Sequence, residues 1–118
     1  MTMDDCLFCR LVRGEIPARK VYEDDDILVF HDIHPARPLH VLAIPKKHIA
    51  SLADVSEADA PLLGRLLTVA QTVAAENGSP DGFRVIINTG RVGGQEVPHL
   101  HAHIVGGPDP VGPMLKRL

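Results

Sequence analysis

Residues 98–105 read Pro-His-Leu-His-Ala-His-Ile-Val, three histidines alternating with three apolar side chains. Neighbouring side chains of an extended strand point to opposite faces, whereas a helix brings a face round only every 3.6 residues or so. A strand therefore sends Leu100, Ala102 and Ile104 into a core and sets His99, His101 and His103 along the other face. A helix would scatter the histidines and leave no apolar stripe. The pattern fixes the element and its buried face together. Histidine is not a strong strand former, and protonated rings side by side repel. Imidazoles are, however, suited to proton transfer, nucleophilic attack and metal ligation near neutral pH. A solvated strand face accounts for one histidine but not for three in alternation.

The chain has 118 residues, enough for a single domain (1–118) with its own core and too few for two. Apolar residues make up 45% and aromatic residues only 3%, so the expected core is aliphatic. A formal net charge of −3 offers no basic face for a nucleic-acid polymer. A mononucleotide needs fewer cations, because backbone N–H groups can hold a phosphate. Residues 1–6 are acidic and carry no apolar signal segment, and no apolar run is long enough to cross a membrane. The expected location is cytoplasmic, with Cys6 and Cys9 as thiols or metal ligands rather than a disulfide.

Taken in order, residues 6–15 read as a short helix with Leu7, Phe8 and Leu11 inward and Gly14 near its end. Residues 20–23 and 27–30 read as strands flanking Asp24, Asp25 and Asp26, which lack calcium-loop spacing and are expected as solvated turn residues. A further strand covers 39–44, stopped by Pro45. Residues 56–77 hold the one long helix, with Leu63, Leu66, Leu67, Ala70, Val73 and Ala74 at helical spacing. Pro61 fits if its first turn begins near Asp59, and Asn77-Gly78 ends it. Residues 83–88 form a strand, and a glycine-rich loop (89–95) delivers the histidine strand; residues 110–118 make an irregular tail. The expected class is α+β, a five-stranded, mostly antiparallel sheet with one long and one short helix.

Glycines ahead of the histidines let backbone N–H groups approach an anion closely. A neutral histidine whose other nitrogen is held by a hydrogen bond can attack phosphorus, and a second histidine on the same face can assist what leaves. The pattern fits a two-step transfer through a covalent histidyl intermediate.

His99-x-His101-x-His103 followed by Gly106-Gly107 resembles the signature of the histidine triad (HIT) family. Cys6-Leu7-Phe8-Cys9, residues 14–18, Tyr22-Glu23-Asp24, Phe30-His31-Asp32-Ile33 with Pro35, and residues 44–49 resemble its Hint branch of nucleotide-binding proteins. Gly93-Gly94-Gln95-Glu96-Val97 resembles the bacterial members. The resemblance implies a homodimer that joins two such sheets, binding of purine nucleoside monophosphates, and hydrolysis of their phosphoramidates with no cofactor for catalysis. It makes His101 the nucleophile, His103 the contact to phosphate and leaving group, and His99 the residue that orients His101. It makes Asp32 the ribose acceptor; Phe8, Ile16, Phe30 and Ile33 the base wall; and Asn88, Gly94, Gln95 and Glu96 the phosphate contacts. Glu96 stands where some members carry serine, which bears on the leaving group. A dinucleoside polyphosphate hydrolase shares the triad, and a nucleotide-binding regulatory protein with incidental hydrolysis is the reading from a different class.

Cys6 and Cys9 can supply half of a tetrahedral zinc site, and His48 and His99 are the candidate partners. The same four positions resemble zinc ligands of some HIT proteins, where the ion is structural. A catalytic zinc on His99, His101 and His103 is the weaker metal reading, since neighbours on a straight strand seldom converge on one ion.

Overall fold

A computed structural model describes residues 5–113. The sheet has five strands in the order β1-β2-β3-β5-β4, every neighbouring pair antiparallel. They are β1 (Lys20–Glu23), β2 (Ile27–His31), β3 (Leu39–Pro45), β4 (Phe83–Ile86) and β5 (Ala102–Gly106). The helices are α1 (Leu7–Val12) and α2 (Ala60–Glu76), with two 3₁₀ turns, Leu52–Asp54 and Glu57–Asp59, leading into the second. The α+β expectation holds.

Each element ends for a local reason. The Cys6 thiol caps α1 by accepting the Cys9 N–H. The helix closes where Gly14 turns to φ 77°, so that its N–H reaches Leu11 O and that of Glu15 reaches Arg10 O. Ser56 and Asp59 form a capping box at the 3₁₀ turn before α2, and Pro61 sits in the first turn, where its missing N–H costs nothing.

The two faces of the sheet are covered by different helices. On one, α2 lays Leu66, Val69, Ala70, Val73 and Ala74 over Val29, Val41, Ala43, Ala102 and Ile104. On the other, α1 sets Phe8, Cys9 and Leu11 against Leu28, Phe30, Leu42 and Ile44. Leu67, expected in the stripe, is half exposed. Val69 takes its place, because the buried stripe is centred between Leu66 and Val73 and Leu67 falls on its flank.

The histidine strand is shorter than the alternation suggests. β5 starts at Ala102, which pairs with Ala43; residues 97–101 have left the ladder. Their amides bond elsewhere, His99 N–H to Val97 O at 2.8 Å and Leu100 N–H to Ile49 O at 2.7 Å. Leu100, Ala102 and Ile104 are buried as expected. His99 and His101 are buried too. β4 likewise stops at Ile86, leaving Asn88 just beyond it.

Asp24 is a structural anchor rather than a solvated turn residue. Its Oδ1 accepts the N–H groups of Asp26 and Ile27, both at 2.8 Å. Its Oδ2 accepts the Tyr22 hydroxyl at 2.6 Å and pairs with Arg65 of α2. Burial alone would raise its pKa, but the Tyr22 hydroxyl, the Arg65 guanidinium and the two amides outweigh it and hold the carboxyl well below the usual range. A depressed folded pKa stabilises above the unfolded value of about 3.9 and loses that contribution as pH falls through the folded one. Asp24→Ala is therefore expected to cost about 1–3 kcal/mol at pH 7, and the gap to the parent protein, read by urea unfolding, narrows in strong acid.

Candidate active site

The three histidines of the motif divide between two neighbouring clusters. His99 is fully buried. Its Nε2 lies 2.8 Å from the carbonyl of Pro45, at the end of β3, and a carbonyl only accepts, so Nε2 carries the proton. Nδ1 then presents a lone pair to Cys6 Sγ at 3.3 Å and Cys9 Sγ at 3.6 Å. His48 Nδ1 is 3.2 Å from Cys9 Sγ, which completes a group of four donors within 4.8 Å of one another. Burial pushes the Cys9 thiol up to about 11, helped by the hydrogen bond and charge of Cys6.

His101 is fixed the same way from the other side. Its Nδ1 is 2.7 Å from the His99 carbonyl, so Nδ1 bears the proton and Nε2 keeps a free lone pair. The ring stands edge-on to Phe8, centroids 5.2 Å apart, and 5.2 Å from the ring of His103.

His103 is held by a residue that the sequence reading passed over. The Ala36 N–H donates to His40 Nδ1 at 2.9 Å, which leaves the His40 proton on Nε2. That Nε2 lies 3.0 Å from His103 Nδ1, so His40 donates and the His103 proton sits on its own Nε2. Asp32 Oδ2 is 3.5 Å from the same His40 nitrogen. Asp32, His40 and His103 thus carry metal-binding atoms close together, but the Ala36 amide keeps a proton on the nitrogen a metal would need. The trio is a hydrogen-bond relay. In the sequence, His40 is one residue of a seven-residue strand and shows no motif of its own; its place opposite Val105, next to the Leu42–His103 pair, needs the register. Burial lowers the pKa of His99 and of His103, and neighbouring imidazoles push the same way, so both rings are neutral near pH 7.

A cleft of about 210 Å³ opens over the rings of Phe8, His101 and His103. The structure brings together there Phe8, Asp32, Asn88, Gly94, Glu96, His101 and His103, with Leu42 and Val97. Phe30 and Ile16 pack in the cluster of Phe8, and Ile33 stands 87% exposed. The Gln95 side chain is engaged in its own loop. Its Oε1 accepts the Gly90 N–H, and its Nε2 donates to the carbonyls of Ala50 and Val97. An imidazole lone pair beside a ring N–H donor, at the mouth of a glycine loop, can attack an electrophilic phosphorus and steady its oxygens.

A family model described as HIT domain matches residues 13–109. The chain belongs to the HIT family. It is 46% identical over 113 residues to the purine nucleoside phosphoramidase of Escherichia coli strain K12, covering 95% of this chain and 94% of that one. Its fold is similar to a HIT family hydrolase from Clostridium thermocellum, with a TM-score of 0.90, 39% identity and coverage of 97% of this chain and all of that one. It is also similar to a zinc-bound histidine triad family protein from Mycobacterium smegmatis, with a TM-score of 0.78, 31% identity and coverage of 93% and 80%. These relatives make the chain a HIT hydrolase. Among the described residues, no helix is long and apolar enough to cross a membrane.

The relay has a direct spectroscopic consequence. Nitrogen-15 shifts of the His103 ring are expected to report one tautomer, protonated at Nε2, in the parent protein and a mixture in His40→Ala.

Proposed function

We propose that this chain hydrolyses purine nucleoside phosphoramidates, nucleoside monophosphates joined to an amine, through a nucleotidyl-His101 intermediate. The observation that carries the reading is the His101 ring, proton held at Nδ1 by a backbone carbonyl and lone pair left at Nε2, in the cleft beside the Nε2–H of His103. The name of the E. coli relative supports the substrate class.

In the first step His101 Nε2 bonds to phosphorus and the P–N bond breaks. The amine leaves with one proton taken up from solvent. His103 Nε2–H donates to a phosphoryl oxygen or to the departing nitrogen. Water then attacks phosphorus, His101 is released neutral, and the proton taken up in the first step is returned. Asp32 accepts from the ribose hydroxyls, Phe8 leads the wall against the base, and Asn88 with the Gly94–Glu96 turn holds the phosphate. Both steps use only this chain's side chains, its backbone and water. The same reading places the protein in the cytoplasm. It takes the free edge of β4, with Phe83 and Ile86 exposed, as the seam of a homodimer, which sedimentation velocity reads directly.

Cys6, Cys9, His48 and His99 suit a structural zinc ion. Tetrahedral bonds of about 2.0–2.3 Å put donors roughly 3.3–3.8 Å apart. The sulfur–nitrogen separations here are 3.2, 3.3 and 3.6 Å. The Pro45 carbonyl orients His99 as an outer partner orients a metal-bound imidazole. The ion would supply a rigid tether between α1 and the triad.

Mass spectrometry after rapid quenching with an adenosine phosphoramidate is expected to find a nucleotidyl adduct on His101. His101→Asn should lose turnover by at least about a thousandfold while still binding AMP; full activity in that variant refutes the assignment. Zinc at about a thousand times its dissociation constant should stabilise by about 4 kcal/mol, raising Tm by roughly 10–20 °C. The same addition should leave Cys9→Ser unmoved.

A further inference from the structure

The glycine loop folds on itself before it meets the histidine run. The N–H of Gly93 donates to Thr89 O at 3.2 Å, that of Gly94 to Arg91 O at 3.1 Å and that of Gln95 to Gly90 O at 3.0 Å. Gly90 answers the last of these by donating to Gln95 Oε1 at 2.9 Å, so Gln95 closes the loop with both its backbone and its side chain. The next two N–H groups, those of Glu96 and Val97, have no partner among the described residues. Both residues line the cleft over His101 and His103. Successive main-chain N–H groups left unpaired beside a cleft suit an anion. They serve it best when they are held in place before it arrives.

The sheet does not hold this stretch, since β4 ends at Ile86 and β5 begins at Ala102. The segment that follows β3 does. Ile49 O accepts the Leu100 N–H at 2.7 Å, and Ala50 O accepts from Gln95 Nε2 at 2.7 Å. The same Nε2 donates to Val97 O at 2.9 Å, a carbonyl that also accepts the His99 N–H at 2.8 Å. Two consecutive carbonyls, 49 and 50, thus take one bond from the residue before His101 and one from the residue before Glu96. A carboxamide has two N–H donors. Both of Gln95's are engaged by carbonyls, which leaves none for a phosphate.

We propose that Gln95 is the positioning residue for phosphate binding. Its side-chain amide docks the loop on residues 49–50 and so sets the Glu96 and Val97 N–H groups at a fixed distance from His101 Nε2, without touching the ligand itself. The proposal rests on the nucleotide reading of this cleft given above. It places the attacking atom and the phosphate donors on one shared support, where the ladder no longer reaches.

The test measures AMP and adenosine binding by calorimetry in the parent protein and in Gln95→Met, which keeps the side-chain length and removes all three amide bonds. Losing these bonds is expected to lower the ratio of the adenosine Kd to the AMP Kd by about tenfold. General loosening of the fold weakens both ligands alike and cancels in the ratio. In the parent protein, nitrogen-15 NMR is expected to show the Glu96 and Val97 N–H signals shifting as AMP is added. The Gln95 side-chain NH₂ signals should stay in place and remain protected from solvent exchange. An unchanged ratio in Gln95→Met overturns the positioning role and leaves the phosphoramidase reading standing. A Gln95 side-chain amide that shifts further than those two N–H groups is a direct phosphate contact and also overturns it. A parent protein that binds AMP no more tightly than adenosine overturns the nucleotide reading and the positioning role together. The expected ratios in a parent protein that hydrolyses no phosphoramidate support the positioning role and overturn the phosphoramidase reading alone.

Discussion

The buried ring of His99 is the joint on which the site is assembled. One nitrogen donates to the end of β3, and the other faces the two thiols of α1. The residue's own carbonyl holds the next histidine of the motif. A ring with no exposure and a polar atom at each edge has very little freedom to move, since any rotation leaves a buried polar group unpaired. The helix, the sheet and the His101 imidazole are therefore positioned against one another through a single residue. Residues 97–101 leave the ladder just where this joint is made.

The second consequence concerns charge. Five imidazoles, those of His40, His48, His99, His101 and His103, form a chain of ring contacts in which neighbours are at most 5.9 Å apart once the ring of Phe8 is included as the link between His99 and His101. Protonated, such an array would be strongly self-repelling in a poorly solvated setting. One hydrogen bond runs between rings, from His40 to His103, and the remaining ring nitrogens that are held find thiols or main-chain groups. For His99 and His103, burial makes charging costly and so eases the crowding.

Much of this architecture was legible in the chain. Strand alternation, helix caps and turn residues led to five strands, two helices and an antiparallel arrangement, because each is a local signal. The Cys6–Cys9 pair with His48 and His99 also anticipated a cluster that folding does assemble. What escaped were features set by tertiary pairing. His40 looked like one more residue of an apolar strand until β3 was laid against β5. The burial of Val69 in place of Leu67 depends on where α2 rests on the sheet. Asp24 reads as a turn residue until Arg65 arrives from a helix 41 residues later. Gln95 reads as a ligand-facing side chain until its amide is seen to bridge three backbone groups of neighbouring segments.

In three of these histidines the choice of which nitrogen holds the proton is made by main-chain atoms: the N–H of Ala36 and the carbonyls of Pro45 and His99. Every amino acid carries that carbonyl, and every one but proline carries that N–H. Point mutations at residues 36 and 45 therefore exchange side chains without withdrawing the groups that set the rings, proline at 36 excepted. The protonation pattern is a property of the path the backbone takes. A lineage can rewrite much of the surroundings and still inherit it, so long as the path survives.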